Sequence, residues 1–191
     1  DEVAIFTSAS EGFCQKNINC SIIESIARFQ PVINAAQAVE IPVRGYVSCV
    51  TDCPYDGPVD PMQTAFVVAK LLELGCYEIS LGDTIGAAIP KSVSLMLDAV
   101  LTVAKPSQLA GHFHDTNGKA LENIKTALGA GLRVFDSAVG GLGGCPYAPG
   151  AQGNVATEHV VEMLAAEGFI TGIDLEKLVS LAVPLALSLR S

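Results

Sequence analysis

The sequence predicts an α/β protein built on a parallel sheet. Five short segments rich in apolar and β-branched residues alternate along the 191 residues with segments of helical periodicity. The connections between them are short, and glycines follow several of the helical segments. This alternation is typical of parallel strands with helices packed outside them. It allows two closures, an open doubly wound sheet or a (β/α)₈ barrel.

The first part of the chain carries two predicted strands, over residues 3–6 and 43–50. Between them, the segment from Ser21 to Glu24 has the spacing of a capping box, which predicts the start of an amphipathic helix. Asp60 and Pro61 predict the start of the next helix, because proline is favoured in the first helical turn. We expect that helix to end at Gly75.

The second part of the chain repeats the alternation three more times. We predict strands over 76–84, 108–116 and 133–139. We predict helices that start near Pro90, that run from Leu121 and end at Gly129 to Gly131, and that cover about 155–167 and 174–189.

Composition excludes several classes of protein. Half of the residues are hydrophobic and 16% are charged, which indicates a packed core rather than a disordered chain. The net charge of −9 and the lack of a basic run argue against a nucleic-acid partner. No apolar stretch reaches the roughly 18–20 residues of a membrane span. The six cysteines favour a reducing, intracellular setting, with Cys49 and Cys76 as core thiols.

Two histidines form the sharpest chemical pattern. His112 and His114 stand two apart at the end of a predicted strand, so their imidazoles face the same side. The carboxyl ends of parallel strands are where α/β proteins place their sites, which favours a metal site over a chance pair of histidines. His159 falls on a predicted helix, and we expect it at the surface or behind the residues of the site, with no role.

A metal site at this pair needs further ligands. Asn154 could supply an amide oxygen, but Mg²⁺ and Mn²⁺ also prefer an anionic oxygen. That carboxylate could be Asp83 or could lie in a part of the protein outside this chain. Asp83, in SLGDT, also fits a catalytic base, a polar orienting group or a helix-capping residue.

Residues 141–154, GLGGCPYAPGAQGN, place Cys145 among closely spaced glycines. One interpretation is a surface loop with an incidental thiol. The other is a lid that brings a thiol acid or base to the site when it closes.

The stretches DSAVGGLGGCPYAPGAQGN, GHFHD, SLGDTIG, NINCSIIES and RGYVSCVTDCPY together closely resemble the 3-hydroxy-3-methylglutaryl-CoA (HMG-CoA) lyases, and the similarity covers nearly all of the chain. GLGGCPY is a highly specific signature of that family. The resemblance implies a TIM-barrel metallolyase that cleaves HMG-CoA to acetoacetate and acetyl-CoA in ketone body metabolism and leucine degradation. It also implies a homodimer, in the cytoplasm of a bacterium or in the mitochondrial matrix.

The resemblance assigns roles to particular residues. It implies metal ligands for Mg²⁺ or Mn²⁺ at His112, His114 and Asn154, a catalytic thiol at Cys145, proton transfer by Asp83, and an acyl pocket near Ser80, Arg44 and Tyr46. In the implied retro-Claisen cleavage, Asp83, or a water relayed through His112, deprotonates the C3 hydroxyl. The C2–C3 bond then breaks, and Cys145 protonates the enolate carbon.

The family barrel has eight strands, whereas this sequence predicts five. We therefore expect residues 1–191 to be the C-terminal five βα units plus a terminal helix. The N-terminal three units, with an Arg-Asp pair whose aspartate is the anionic metal ligand, would lie outside the chain. Two alternatives remain: a related metal-dependent Claisen synthase or aldolase, in which Cys145 is not expected, and an inactive fragment that holds no metal.

Overall fold

The computed structural model describes residues 1–143 and 153–188. The strands in this part are β1 (Val3–Ser8), β2 (Val43–Ser48), β3 (Asp52–Cys53), β4 (Gly57–Pro58), β5 (Glu78–Asp83), β6 (Leu109–Phe113) and β7 (Val134–Phe135). The helices are α1 (Glu11–Ile18), α2 (Ile22–Gln37), α3 (Pro61–Leu74), α4 (Pro90–Val100), α5 (Ala120–Gly129), α6 (Thr157–Ala166) and α7 (Leu175–Ser188). Among the described residues, no helix is long and apolar enough to cross a membrane.

Five of the strands form one parallel sheet in the order β1-β2-β5-β6-β7. The prediction of a parallel α/β sheet is confirmed. Each strand lies beside the next sheet strand of the chain, so the order never reverses. A doubly wound sheet reverses its order at a switch point, and that alternative is therefore wrong for the described part of the chain. The sheet as described ends at β1 and β7, and a closed barrel is not shown.

The two faces of this sheet differ in chemistry. Side chains alternate along each strand, and one set packs with the helices into the main core. That core includes Ile5, Val47, Ile79, Leu81, Leu109 and Phe113 from the strands and Ile33, Leu71, Met96 and Ile124 from the helices. The opposite set is largely polar on the central strands, and it includes the predicted histidines. The helices therefore cover one face of the sheet, and the candidate functional side chains lie on the other.

The predicted helix starts are confirmed in atomic detail. The Ser21 hydroxyl accepts a hydrogen bond from the Glu24 amide at 3.2 Å, and Glu24 accepts one from the Ser21 amide at 2.8 Å. This is the reciprocal capping box that the spacing predicted. The Asp60 carboxylate caps α3 by accepting from the Met62 amide at 2.9 Å. Gly75, with φ of 108°, ends α3 in the left-handed conformation that favours glycine.

Helix α1 and the β3–β4 hairpin were not predicted. The Ser10 hydroxyl caps α1 by accepting from the Phe13 amide at 3.1 Å, and it donates to Asp56 at 2.6 Å. Asp56 also accepts from the Gly12 amide at 2.7 Å. Because Asp56 lies in the hairpin turn, 46 residues beyond Ser10, the start of α1 depends on a contact that no local pattern reveals.

The expected core thiols are where the sequence placed them. Cys49 and Cys76 are buried, and all five cysteines of the described ranges, including these two, are free rather than disulfide-bonded. Burial raises the pKa of Cys49 to about 12 and that of Cys76 to about 11. These thiols therefore stay protonated at neutral pH and act as packing groups.

Gly111, on the helix-facing side of β6, tests how tightly the sheet packs. A Cβ at this position would lie 2.7 Å from Cε2 of Phe113 and 3.0 Å from Cδ1 of Phe135, which are rigid rings. We expect Gly111→Ala to lower the free energy of unfolding by about 1–3 kcal/mol through overpacking. Urea denaturation measures this change.

The matched control is Gly129→Ala, at the end of α5, where a Cβ meets no atom within 4 Å. This change should be neutral or stabilising by up to about 1 kcal/mol, because alanine favours a helix. If both variants unfold at the same urea concentration, the packing around Gly111 is looser than described.

Candidate active site

The polar side of the sheet gathers charged and titratable side chains at neighbouring strand positions. The strand register pairs Arg44 with Glu78, Tyr46 with Ser80, and Gly82 with His112. Paired positions face the same side of a sheet, so these side chains point toward one another. Five predicted site residues thereby share one face: Arg44, Tyr46, Ser80, His112 and His114.

Asp136, directly after β7, is at the centre of this face. Its carboxylate accepts from Arg44 Nη2 at 2.9 Å, from the Ser80 hydroxyl at 2.7 Å, and lies 3.2 Å from Nδ1 of His112. Burial alone would raise the pKa of Asp136, but the hydrogen bonds from His112, Arg44 and Ser80 outweigh it and lower the pKa to about 2. Asp136 is therefore a carboxylate throughout the physiological pH range.

Arg44 is held from several directions. Its Nε donates to Glu78 at 2.7 Å, its two Nη atoms donate to Asp136, and Nη1 also contacts the Tyr46 hydroxyl. The side chain is 7% exposed. Burial would lower the pKa of Arg44, but the two carboxylates raise it above its usual value, so the guanidinium stays charged. All three of its nitrogens are thus engaged by the protein.

The two histidines meet through their outer nitrogens. Nε2 of His112 lies 3.2 Å from Nε2 of His114. Two nitrogen ligands about 2.1 Å from one cation, at angles between octahedral and tetrahedral, are separated by about 3.0–3.4 Å. The pair therefore fits adjacent positions around a metal ion. Burial, together with the neighbouring His112, lowers the pKa of His114, which favours the neutral imidazole that a metal needs.

Asn154 is brought beside this pair. It forms an isolated antiparallel β-bridge with His114, and the adjacent Asp115 amide donates to the Gly153 carbonyl at 2.8 Å. The side-chain nitrogen of Asn154 donates to the Leu142 carbonyl at 2.9 Å. The amide oxygen is then the Asn154 atom that could ligate a cation beside the two imidazoles.

Asp83 is placed differently from the other predicted residues. It pairs with Phe113, so strand alternation puts it on the helix-facing side of the sheet rather than on the side of His112. Its carboxylate accepts from the amides of Ala87 and Ala88 at 3.1 and 3.2 Å, in the turn before α4. Burial outweighs these bonds and raises its pKa to about 7. Its part in proton transfer stays a prediction.

The remaining predicted residues are separate from this cluster. Cys145 lies outside the described residues. His159 is exposed on α6, as expected. Across residues 1–143 and 153–188, no three His, Cys, Asp or Glu side chains are grouped so that they could hold a metal ion. An anionic ligand for the pair of histidines is thus not found within that part of the chain.

Sequence reasoning missed Asp136 and Glu78. The signal for Asp136 was present, because it follows the apolar residues of RVFDS at the end of a strand, as Ser80 and Asp83 do in EISLGD. Glu78 opens β5 and had no such signal. Its role follows only from its pairing with Arg44 on the neighbouring strand.

Polar residues at the carboxyl ends of parallel strands, with two converging imidazoles, are the arrangement in which α/β enzymes place their active sites. Residues 1–183 match the family model described as HMGL-like, and the chain belongs to that family.

The chain is 57% identical to mouse 3-hydroxy-3-methylglutaryl-CoA lyase, cytoplasmic, over 92% of its own length and 51% of that protein. It is 54% identical to the 3-hydroxy-3-isohexenylglutaryl-CoA/hydroxy-methylglutaryl-CoA lyase of Pseudomonas aeruginosa, over 93% of its length and 59% of that protein. The crystal structure of the HMG-CoA lyase from Brucella melitensis superposes with a TM-score of 0.96 at 59% identity, over all of this chain and 67% of that one. The chain thus spans about half the length of the mouse protein.

The raised pKa of Asp83 predicts a pH dependence of stability. A carboxyl with a pKa of about 7 in the folded state and about 3.9 in the unfolded state stabilises the fold fully below pH 4. That contribution is lost as the pH rises toward and through 7. We expect Asp83→Asn to remove this loss, so that stability measured by urea denaturation falls less between pH 4 and 7.

Asp56→Asn is the control for this experiment. Hydrogen bonds from Ser10 and from the Gly12 amide lower the pKa of Asp56, so its contribution has the opposite sign and disappears as the pH falls below about 4. The control should keep the decline between pH 4 and 7. A wild-type protein without any such decline would contradict the raised pKa of Asp83.

Proposed function

We propose that the protein containing this chain is a metal-dependent carbon–carbon lyase that cleaves HMG-CoA to acetoacetate and acetyl-CoA. Membership of the HMGL-like family and the similarity to HMG-CoA lyases support the reaction. The observation that carries the proposal is the pair of imidazole nitrogens 3.2 Å apart on the polar side of the sheet. The same proposal includes a homodimer that uses Mg²⁺ or Mn²⁺. It would work in the cytoplasm of a bacterium or in the mitochondrial matrix.

His112, His114 and Asn154 would hold the divalent cation, with an anionic ligand from outside the described residues. When bound, the cation would supply Lewis acidity that makes the C3 hydroxyl of the substrate easier to deprotonate. The polar face contributes a fixed, largely buried framework around the two imidazoles, so little reorganisation is needed on binding.

Two residues of the chain would move the protons. Asp83, with a pKa of about 7, is one candidate base, although its carboxylate faces the turn before α4 in this structure. A water hydrogen-bonded to His112 is the other. Cys145, in the glycine-rich stretch, would protonate the enolate carbon of acetyl-CoA after the C2–C3 bond breaks. Exclusion of bulk water from the enolate would keep this proton delivery specific.

We also propose that the sheet is part of a closed (β/α)₈ barrel. Arg44 lies on β2 and Asp136 follows β7, which is three strands away. Three strand spacings amount to about 14 Å on a flat sheet, too far for two perpendicular side chains to join. Their 2.9 Å ion pair requires a strongly curved sheet with the polar side concave. This curvature and the similarity to a full-length lyase structure support closure.

A cleavage assay with HMG-CoA tests the reaction directly. The purified protein, supplied with Mn²⁺, should release acetyl-CoA from HMG-CoA. A related Claisen synthase would instead condense acetyl-CoA with an oxo acid. The GLGGCPY stretch favours the lyase, and a protein that shows condensation without cleavage would overturn the proposal.

His114→Ala should lower Mn²⁺ affinity and cleavage together, because it removes one of the two converging imidazoles. Loss of a direct ligand should cost at least the 10–100-fold in affinity that loss of a ligand-supporting residue costs. Isothermal titration with Mn²⁺ measures the affinity. His159→Ala, at an exposed site on α6, is the control and should change neither quantity. Equal behaviour of the two variants would mean that the histidine pair is not the metal site.

Cys145→Ser should fold normally and bind Mn²⁺ almost as the wild type does, but lose most of its turnover, because a serine hydroxyl is a far weaker acid than a thiol. Steady-state kinetics at saturating metal measure the loss in kcat. A variant with wild-type kcat would remove Cys145 from the mechanism.

A further inference from the structure

We propose that Asp136 is a positioning residue that fixes the tautomer of His112, and that Arg44 and Ser80 hold this carboxylate rather than the acyl group of the substrate. The geometry stands on contacts within the chain. Only its functional consequence, the preparation of a metal ligand, rests on the proposed function.

The tautomer follows from the hydrogen-bonding capacity of the partners. Nδ1 of His112 lies 3.2 Å from Oδ2 of Asp136. A carboxylate can only accept, so Nδ1 of His112 must carry the hydrogen. In the neutral imidazole, Nε2 then keeps its lone pair. That atom is the one 3.2 Å from Nε2 of His114, where a cation would bind.

Donors surround the carboxylate of Asp136. Arg44 Nη2 contacts Oδ1 at 2.9 Å, and Arg44 Nη1 and the Ser80 hydroxyl contact Oδ2 at 3.3 and 2.7 Å. Glu78 binds Nε of the same arginine at 2.7 Å and fixes its orientation. The contacts Glu78–Arg44–Asp136–His112 therefore form a network over four neighbouring strands, β2, β5, β6 and β7, and this network ends on the imidazole of His112.

This arrangement changes the role expected for Arg44 and Ser80. The resemblance placed both in or near the acyl pocket. Arg44 is 6% exposed and Ser80 is 1% exposed, and the polar atoms of both side chains are bonded to protein groups. Side chains that are buried and engaged in this way act through Asp136 rather than through direct contact with substrate.

The first test needs neither a variant nor a metal. Long-range ¹H–¹⁵N correlation NMR on the full-length protein, labelled with ¹⁵N-histidine, reports which ring nitrogen carries the hydrogen. At pH 8 an ordinary imidazole, with a pKa of about 6.5, is neutral. We expect His112 to show a protonated Nδ1 and an unprotonated Nε2, and exposed His159 to show a solvent-averaged mixture. A His112 protonated at Nε2 would overturn the proposal.

The second test is Asp136→Asn, which preserves the shape of the side chain. Arg44 requires an acceptor, so the amide oxygen should face Arg44 and the amide nitrogen should face His112. The imidazole should then switch to the Nε2–H tautomer, as in the corresponding change in serine-protease triads that is a standard example. Mn²⁺ affinity should fall about 10–100-fold. Asp98→Asn, on the exposed side of α4, removes the same charge and should change neither the tautomer nor the affinity.

Ser80→Ala separates the positioning role from an acyl-binding role. It should weaken Mn²⁺ binding, while the KM for HMG-CoA at saturating Mn²⁺ stays as in the wild type. A raised KM with unchanged metal affinity would return Ser80 to the acyl pocket and contradict its assignment here.

The outcomes for this inference and for the lyase proposal are distinct. If wild-type protein binds no Mn²⁺ and cleaves no HMG-CoA, the proposed function fails, while the NMR result still decides whether Asp136 sets the tautomer. If the wild type binds Mn²⁺ and Asp136→Asn keeps the Nδ1–H tautomer, the inference fails and the lyase proposal stands.

Discussion

The ion pair between Arg44 and Asp136 is the interaction on which the polar half of the molecule depends. It joins β2 to the chain after β7, across the two strands that lie between them. Both groups are largely removed from water, so each helps to compensate the charge of the other. Removing one member of such a pair costs about 3–5 kcal/mol, because the other charge is left uncompensated. The pair therefore constrains the curvature of the sheet as well as the electrostatics of the site.

The two faces of the sheet have different roles: one stabilises the fold and the other carries the candidate site. The helix-facing side chains are apolar and supply most of the burial that stabilises the fold. The polar side bears charges that contribute little net stability when they are buried, even as pairs. The role we propose for them is to fix the imidazole of His112 through Asp136. Asp83 follows the same division. It lies on the helix-facing side, where its carboxylate accepts hydrogen bonds from the turn before α4.

Much of this fold could be predicted from the sequence, because the signals are local. Strand periodicity, the Ser21 capping box and the Asp60–Pro61 helix start all act within a few residues. Helix α1 was not predicted: its Ser10 cap is local, but the Ser10 side chain is held in place by Asp56 from a distant hairpin. The histidine pair was found because its spacing of two puts both rings on one side. Asp136 was missed because its importance comes from three partners on three other strands.

The charges on the polar side of the sheet affect how well the two imidazoles and the Asn154 amide could bind a divalent cation. Two imidazoles and an amide are neutral, whereas Mg²⁺ and Mn²⁺ prefer anionic surroundings. Arg44, Glu78 and Asp136 form one connected cluster of charges on this face, and they sum to one negative charge. Asp136 accepts a hydrogen bond from Nδ1 of His112. Such a bond raises the basicity of the ring, which makes Nε2 a better electron-pair donor to a cation. The described part of the chain thus favours a cation electrostatically without supplying a carboxylate ligand. An anionic ligand from outside the described residues would complete the metal site that we propose.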